Sequence, residues 1–118
     1  MDRVKVGVIG VGGIFRGAHL PAYLNVAEAK VVSLCDVSEE MLRESEKLMK
    51  KLYLEKAEEA EKEGNLELSQ RLKDDAESLR TYRDAEEMLS KENLDLVDIC
   101  TPTKFHNSLA IQVLSHGV

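Results

Sequence analysis

The chain has 118 residues, a net charge of −6 and no tryptophan, with 43% hydrophobic and 32% charged residues. That length suits one domain with a modest core. The acidic balance argues against non-specific nucleic-acid binding, which needs a basic face, and no apolar run approaches the length of a membrane span.

The first predicted element is a strand over about Lys5 to Ile9. Val4, Val6, Val8 and Ile9 make it almost continuously apolar, as a central parallel strand requires. It breaks into Gly10, Gly12 and Gly13, and a helical pattern follows. A buried strand, a glycine turn and a helix start, in that order, make a cradle for a diphosphate, because backbone N–H groups and the helix dipole both favour negative charge there. Gly10 allows the sharp turn, and Gly12 lets a pyrophosphate approach without a Cβ in the way. The third position of the usual G-x-G-x-x-G/A pattern is Phe15, a large ring expected to push the helix off the strand or change the cofactor's pose. Alone, such a turn is a weak signal, and its plainer reading is a strand–helix corner that binds nothing.

The helix after the turn reads Gly13 to about Val26, with a break near His19-Leu20 because Pro21 cannot sit deep in a helix without a kink. His19 is then either a satisfied polar group at that break or a residue facing a cleft. The second strand, about Lys30 to Cys35, ends in Asp36, about 25 residues beyond the first glycine. A carboxylate there can accept both hydroxyls of an adenosine ribose and repel a 2′-phosphate. No arginine follows directly, which favours NAD over NADP. The plainer reading of Asp36 is a turn residue before a helix.

Ser38 reads as an N-cap, with Glu39 and Glu40 in the first turn. The helix runs to about Glu63, stops at Gly64-Asn65, and a second helix spans about Leu66 to Leu79. Met41, Leu48 and Leu52 on one helix, and Leu68, Leu72, Ala76 and Leu79 on the other, give each an apolar stripe. The object expected is a charged antiparallel hairpin, about residues 48–80, projecting from the domain as a solvated insertion or as an arm that contacts another subunit or covers a substrate site. Tyr82 belongs to a very short third strand, Asp84 caps a helix over Ala85 to about Lys91, and Leu94 to Thr101 is the next strand. Asp98 interrupts that strand and is expected where the sheet is less covered. Thr101-Pro102 ends it, since proline cannot continue a ladder. A last helix covers about Phe105 to Ser115.

Cys35 and Cys100 lie in strand-like runs without C-x-x-C spacing, and read as buried thiols of a reducing compartment. They are expected on strands flanking the first strand on opposite sides. His19, His106 and His116 have no spacing that suggests a metal site. Asp2, Arg3 and Lys5 leave no apolar core for a secretory leader, so a cytoplasmic location is expected.

Taken together, Val6-Gly7-Val8-Ile9-Gly10-Val11-Gly12-Gly13-Ile14, His19-Leu20-Pro21-Ala22, Asp36 and Val97-Asp98-Ile99-Cys100-Thr101-Pro102 with His106 resemble the N-terminal domain of the Gfo/Idh/MocA oxidoreductases. The resemblance covers both ends of the chain but not the hairpin. It implies a Rossmann-like parallel sheet with flanking helices, occupying residues 1–118 and truncated before a second domain. It also implies an NAD(P)-dependent enzyme that moves a hydride between nicotinamide and a hydroxyl-bearing carbon of a sugar, inositol or related polyol. Carried over, Gly10, Gly12, Gly13, Ile14 and Phe15 would border the diphosphate, and Asp36 the adenosine ribose. Thr101 and Pro102 would line the nicotinamide-side ribose, with His106 near that cleft. The asparagine often found after the Thr-Pro pair is Thr103 here. The family's Glu-Lys-Pro segment, whose lysine supports proton transfer, falls one strand past the last helix, so no catalytic residue is named and the segment alone is not expected to turn over. The alternatives are a dinucleotide-sensing module without chemistry and a retired fold whose hairpin mediates homo-oligomer or other protein contacts. A third, an S-adenosylmethionine-dependent transferase, would carry an acid where this chain has Val8-Ile9.

Overall fold

The computed structural model describes residues 3–101 and 106–118. Strand β1 spans Val4–Ile9 and is buried from Val6 onward. Beyond the glycine turn, a helical run begins at Gly13, passes through a π-helical turn at Phe15–His19 and continues as α1, Leu20–Leu24. The break expected near His19-Leu20 is therefore a widened turn and not an interruption. Pro21 has no N–H to give the carbonyl four residues back, and its ring crowds that carbonyl. The π turn relieves this, and the Leu20 N–H reaches back to Phe15 O. Phe15 does not prise the helix off the strand. Its ring is fully buried in the same apolar cluster as Val8, Val11 and Leu20.

Strand β2 is Ala29–Cys35. Its pairing with β1 slips between Val6 and Gly7, and Val32 is the extra residue. The slip inverts the alternation along β2, so Val31 and Leu34 share one face while Val32 and Cys35 share the other. Helix α2, Glu39–Lys62, starts at Ser38, whose hydroxyl accepts the Met41 N–H at 3.2 Å. Gly64 ends it at φ +81. Asn65 accepts the Leu68 N–H at 3.1 Å and opens α3, Leu66–Glu77. The remaining elements are β3 (Arg80–Tyr82), α4 (Ala85–Lys91, capped by Asp84), β4 (Leu96–Ile99) and α5 (His106–Ser115).

All strands pair in parallel in the order β3-β2-β1-β4. Cys35 and Cys100 therefore flank β1 on opposite sides. The Gly10 N–H donates to Cys35 O and the Cys100 N–H donates to Ile9 O, each at 2.8 Å. Both cysteines are free.

Two apolar layers sandwich the sheet. One joins Val6, Val8, Val31 and Leu34 to residues of the π turn, α1, α2 and α3. The other joins Ile9, Val32 and Cys35 to α4 and α5 through Met88, Leu89 and Val113. The expected helical hairpin is present and its tip, residues 61–67, is exposed, but its inner stripe is part of the first layer and not merely solvated. Met49, Tyr53, Ala57, Leu72, Ala76 and Leu79 all belong to that core. Its buried stripe also lies beside the one expected on α2: Leu42, Ser45, Met49 and Tyr53 face inward, whereas Met41 is exposed. Two polar ties fasten the hairpin. Arg3 donates to both carboxylate oxygens of Asp75 at 2.8 and 2.7 Å. Lys56 donates to Leu24 O at 2.9 Å and to Asn25 Oδ1 at 2.5 Å. No helix among the described residues is long and apolar enough to cross a membrane.

Candidate functional site

The C-terminal ends of β1, β2 and β4 open into one cavity of about 530 Å³, a size usual for small-molecule and cofactor sites. Gly10, Gly12, Gly13, Ile14, Asp36 and Thr101 all line it. The fold thus brings together residues from the first turn, the end of β2 and the end of β4.

The glycines differ in what they do. Gly10 has φ +90, and a Cβ there would lie 2.8 Å from Thr101 N and 2.9 Å from Cys100 C. Glycine at this position is demanded by the backbone and by the close approach of β4. Gly12 and Gly13 have no such constraint. A Cβ on either would meet no atom within 4 Å, and neither has a positive φ. Their bareness leaves room on the cavity side of the turn.

Asp36 is bound at both oxygens. Oδ2 accepts the Val11 N–H at 3.0 Å and Oδ1 accepts the Ser38 N–H at 2.8 Å. A carboxylate offers about four acceptor sites, so the group can hold the loop and still accept from a ligand. Val37 beside it is 80% exposed and also lines the cavity. No arginine follows Asp36 directly, and Arg83, which the fold brings beside Val37, does not line the cavity. Arg83 donates to Val37 O from Nε at 2.9 Å and from Nη2 at 2.7 Å, and pairs with Glu39 at 3.0 Å.

At the opposite wall the Thr101 hydroxyl is buried and has no hydrogen-bond partner among the described residues. A buried hydroxyl without a partner is uncommon, and its residue also lines the cavity. His106 does not line the cavity. Its Nε2 lies 2.6 Å from Thr101 O, and since a carbonyl only accepts, Nε2 carries the proton. Phe15 does not line it either, because its ring is turned into the core. Pro102 lies outside the described residues.

The cavity walls that sequence reasoning missed are Ile9, Cys35, Val37, Ala85, Cys100, Ser108 and Leu109. Ala85 and Leu109 come from α4 and α5, and nothing local marks them. Burial pushes each cysteine thiol up to about 12, away from the thiolate form.

Behind Cys100 lies a second cluster. His19 Nδ1 is 2.6 Å from Asp98 Oδ2, the Tyr23 hydroxyl donates to the same oxygen at 2.9 Å, and Cys100 Sγ is 3.4 Å from His19 Nδ1. The histidines' spacing in sequence offers no ligand set, but the fold gathers His19, Asp98 and Cys100 within 4.8 Å. These groups already satisfy one another. His19 is the satisfied polar group of its helical irregularity. Burial, then the hydrogen bond to Asp98, raises the Tyr23 phenol well above its ordinary value.

The arrangement fits a dinucleotide: bare glycines at the turn, a carboxylate with acceptor sites to spare, and an unpartnered hydroxyl opposite. Residues 4–118 match the family described as oxidoreductase family, NAD-binding Rossmann fold. D-apiose dehydrogenase of Paraburkholderia graminis is 33% identical over 118 residues, covering 100% of this chain and 24% of that protein. A glycosyl hydrolase family 109 protein of Shewanella pealeana is 28% identical over 117 residues, covering 99% and 22%. A dehydrogenase structure from Chromobacterium violaceum aligns with a TM-score of 0.71 at 19% identity, covering 100% of this chain and 27% of that one. The scyllo-inositol dehydrogenase of Lactobacillus casei, solved with bound NAD(H) and scyllo-inositol, aligns with a TM-score of 0.66 at 19% identity, covering 98% and 26%. At such identities the structures speak for the fold alone. The chain spans about a quarter of the length of these proteins. By the match over residues 4–118, the chain belongs to the Gfo/Idh/MocA oxidoreductase family and carries its NAD-binding Rossmann fold.

Proposed function

We propose that the cavity binds NAD in preference to NADP, as the nucleotide-binding part of a dehydrogenase acting on a sugar, inositol or related polyol. The observation that carries this is the placement of Asp36 and the bare Gly12 and Gly13 along one cavity. The amides at the start of the helical run receive the pyrophosphate, where the helix dipole adds to their hydrogen bonds. Asp36 accepts the adenosine ribose hydroxyls and repels a 2′-phosphate. Thr101 donates its unpartnered hydroxyl toward the nicotinamide-side ribose, and His106 steadies Thr101 through its carbonyl.

A nicotinamide coenzyme held by these residues would supply hydride transfer to or from a hydroxyl-bearing carbon. This chain's contribution is positional: it fixes the coenzyme's phosphates and ribose so that a substrate held elsewhere in the protein meets it in register. The free thiols of Cys35 and Cys100 suit a reducing compartment.

Calorimetric titration with NAD and with NADP tests the reading. NAD is expected to bind more tightly. Tighter NADP binding overturns the role given to Asp36, and binding of neither overturns the site. A screen of sugars and polyols by nicotinamide absorbance, on protein extending past residue 118, tests the substrate class.

A further inference from the structure

Ser45 lies on α2, fully buried, and does not line the cavity. Its hydroxyl donates to Val11 O at 2.5 Å, while the Asp36 carboxylate accepts the Val11 N–H at 3.0 Å. Val11 is the residue between Gly10 and Gly12, and it is itself fully buried. Both polar groups of this loop residue are thus held by side chains from elsewhere in the fold.

The consequence follows from peptide geometry. The Val11–Gly12 bond is trans, so Val11 C=O and Gly12 N–H point in opposite directions. Ser45 sits in α2, whose core contacts are with the layer containing Val8, Val31 and Leu34. The cavity walls Ile9, Cys35, Ala85 and Leu109 belong to the other layer. Drawing Val11 C=O toward α2 therefore turns the Gly12 N–H toward the cavity. Among the described residues that N–H has no protein acceptor.

We infer that Ser45 is a positioning residue for dinucleotide binding. It acts through Val11 to aim the Gly12 amide at the pyrophosphate before the ligand arrives. Glycines with bare faces are free to rotate their peptides, and orienting one in advance removes an entropic cost from binding. The Ser45 hydroxyl is legible in sequence only as a small polar residue on an apolar stripe. The inference rests on the NAD site proposed above.

The test compares NAD, ADP and adenosine in calorimetric titrations of the wild-type chain and of Ser45→Ala. Losing one buried hydrogen bond is expected to weaken NAD and ADP about three- to ten-fold, while adenosine, which lacks the diphosphate, stays within about two-fold. An equal loss for adenosine would make Ser45 merely structural and overturn the inference. So would unchanged ADP affinity. Ser45→Cys keeps the volume and a weak donor, and is expected to lie between the two. It carries the same comparison if Ser45→Ala fails to fold. If the wild-type chain takes up neither NAD nor ADP, the site itself is wrong, and that outcome is visible without any variant.

Discussion

The Asp36 carboxylate accepts the Val11 amide at 3.0 Å, so the end of β2 holds the loop that leaves β1. One oxygen serves the turn from outside the strand pair while the same group faces the cavity. Replacing Asp36 therefore has two separable effects. Asp36→Ala is expected to lower NAD affinity at least about ten-fold and stability by about 1–2 kcal/mol, because a buried amide loses its acceptor. Asp36→Asn keeps an acceptor for Val11, and its smaller stability loss isolates the charge effect. In both variants the NAD-to-NADP affinity ratio, measured by titration, should fall.

Gly12→Val separates folding from binding. The added Cβ meets no atom within 4 Å and the backbone has no positive φ, so the melting temperature should hold close to wild type. The side chain occupies the space a pyrophosphate needs, and NAD affinity should drop well over about ten-fold. Unchanged affinity would place the ligand elsewhere.

Gly10→Ala acts in the reverse sense. Its φ of +90 strains any L side chain, and the Cβ would lie 2.8 Å from Thr101 N. A stability loss of about 2–3 kcal/mol is expected, read by denaturant unfolding.

Glu92 anchors β3. Arg80 donates to its two oxygens, each at 2.6 Å, and the Tyr82 hydroxyl donates to one of them. The Arg80 hydrogen bonds hold the Glu92 carboxyl below its ordinary value. A lowered folded-state value means stability that is present above the unfolded carboxyl range, near pH 4.3, and is lost as pH falls through the folded value. Glu92→Gln should therefore melt below wild type at pH 7, with the gap closing under acid below about pH 4. A gap independent of pH would show that the charge contributes nothing.

The hairpin yields a fifth contrast. Excising residues 48–80 removes Met49, Tyr53, Ala57, Leu72 and Ala76 from the core and cuts the Arg3–Asp75 pair. Loss of cooperative unfolding is expected. Shortening only the tip around Gly64, where residues 61–67 are exposed, should leave the melting transition nearly intact. Circular dichroism melts distinguish the two.

What the sequence alone determined is local. Ser38, Asn65 and Asp84 each cap a helix with a single side chain two or three residues away, so composition suffices to find them. The apolar run of β1, the glycine turn and Asp36 at a strand end were legible for the same reason. The π turn was visible only as trouble ahead of Pro21, because proline forbids a bond without saying which bond replaces it. Whether Phe15 turned outward or inward depended on Leu20, Val8 and the helices that roof them. Only the tertiary structure decided that the charged hairpin is core, that His19 meets Asp98 across 79 positions, and that Ser45 reaches Val11 across 34. Backbone preference and hydrophobic period act over a turn or a strand. Contacts between distant positions arise only when the sheet order and the packing of both layers are set, and those long-range bonds aim the glycine loop.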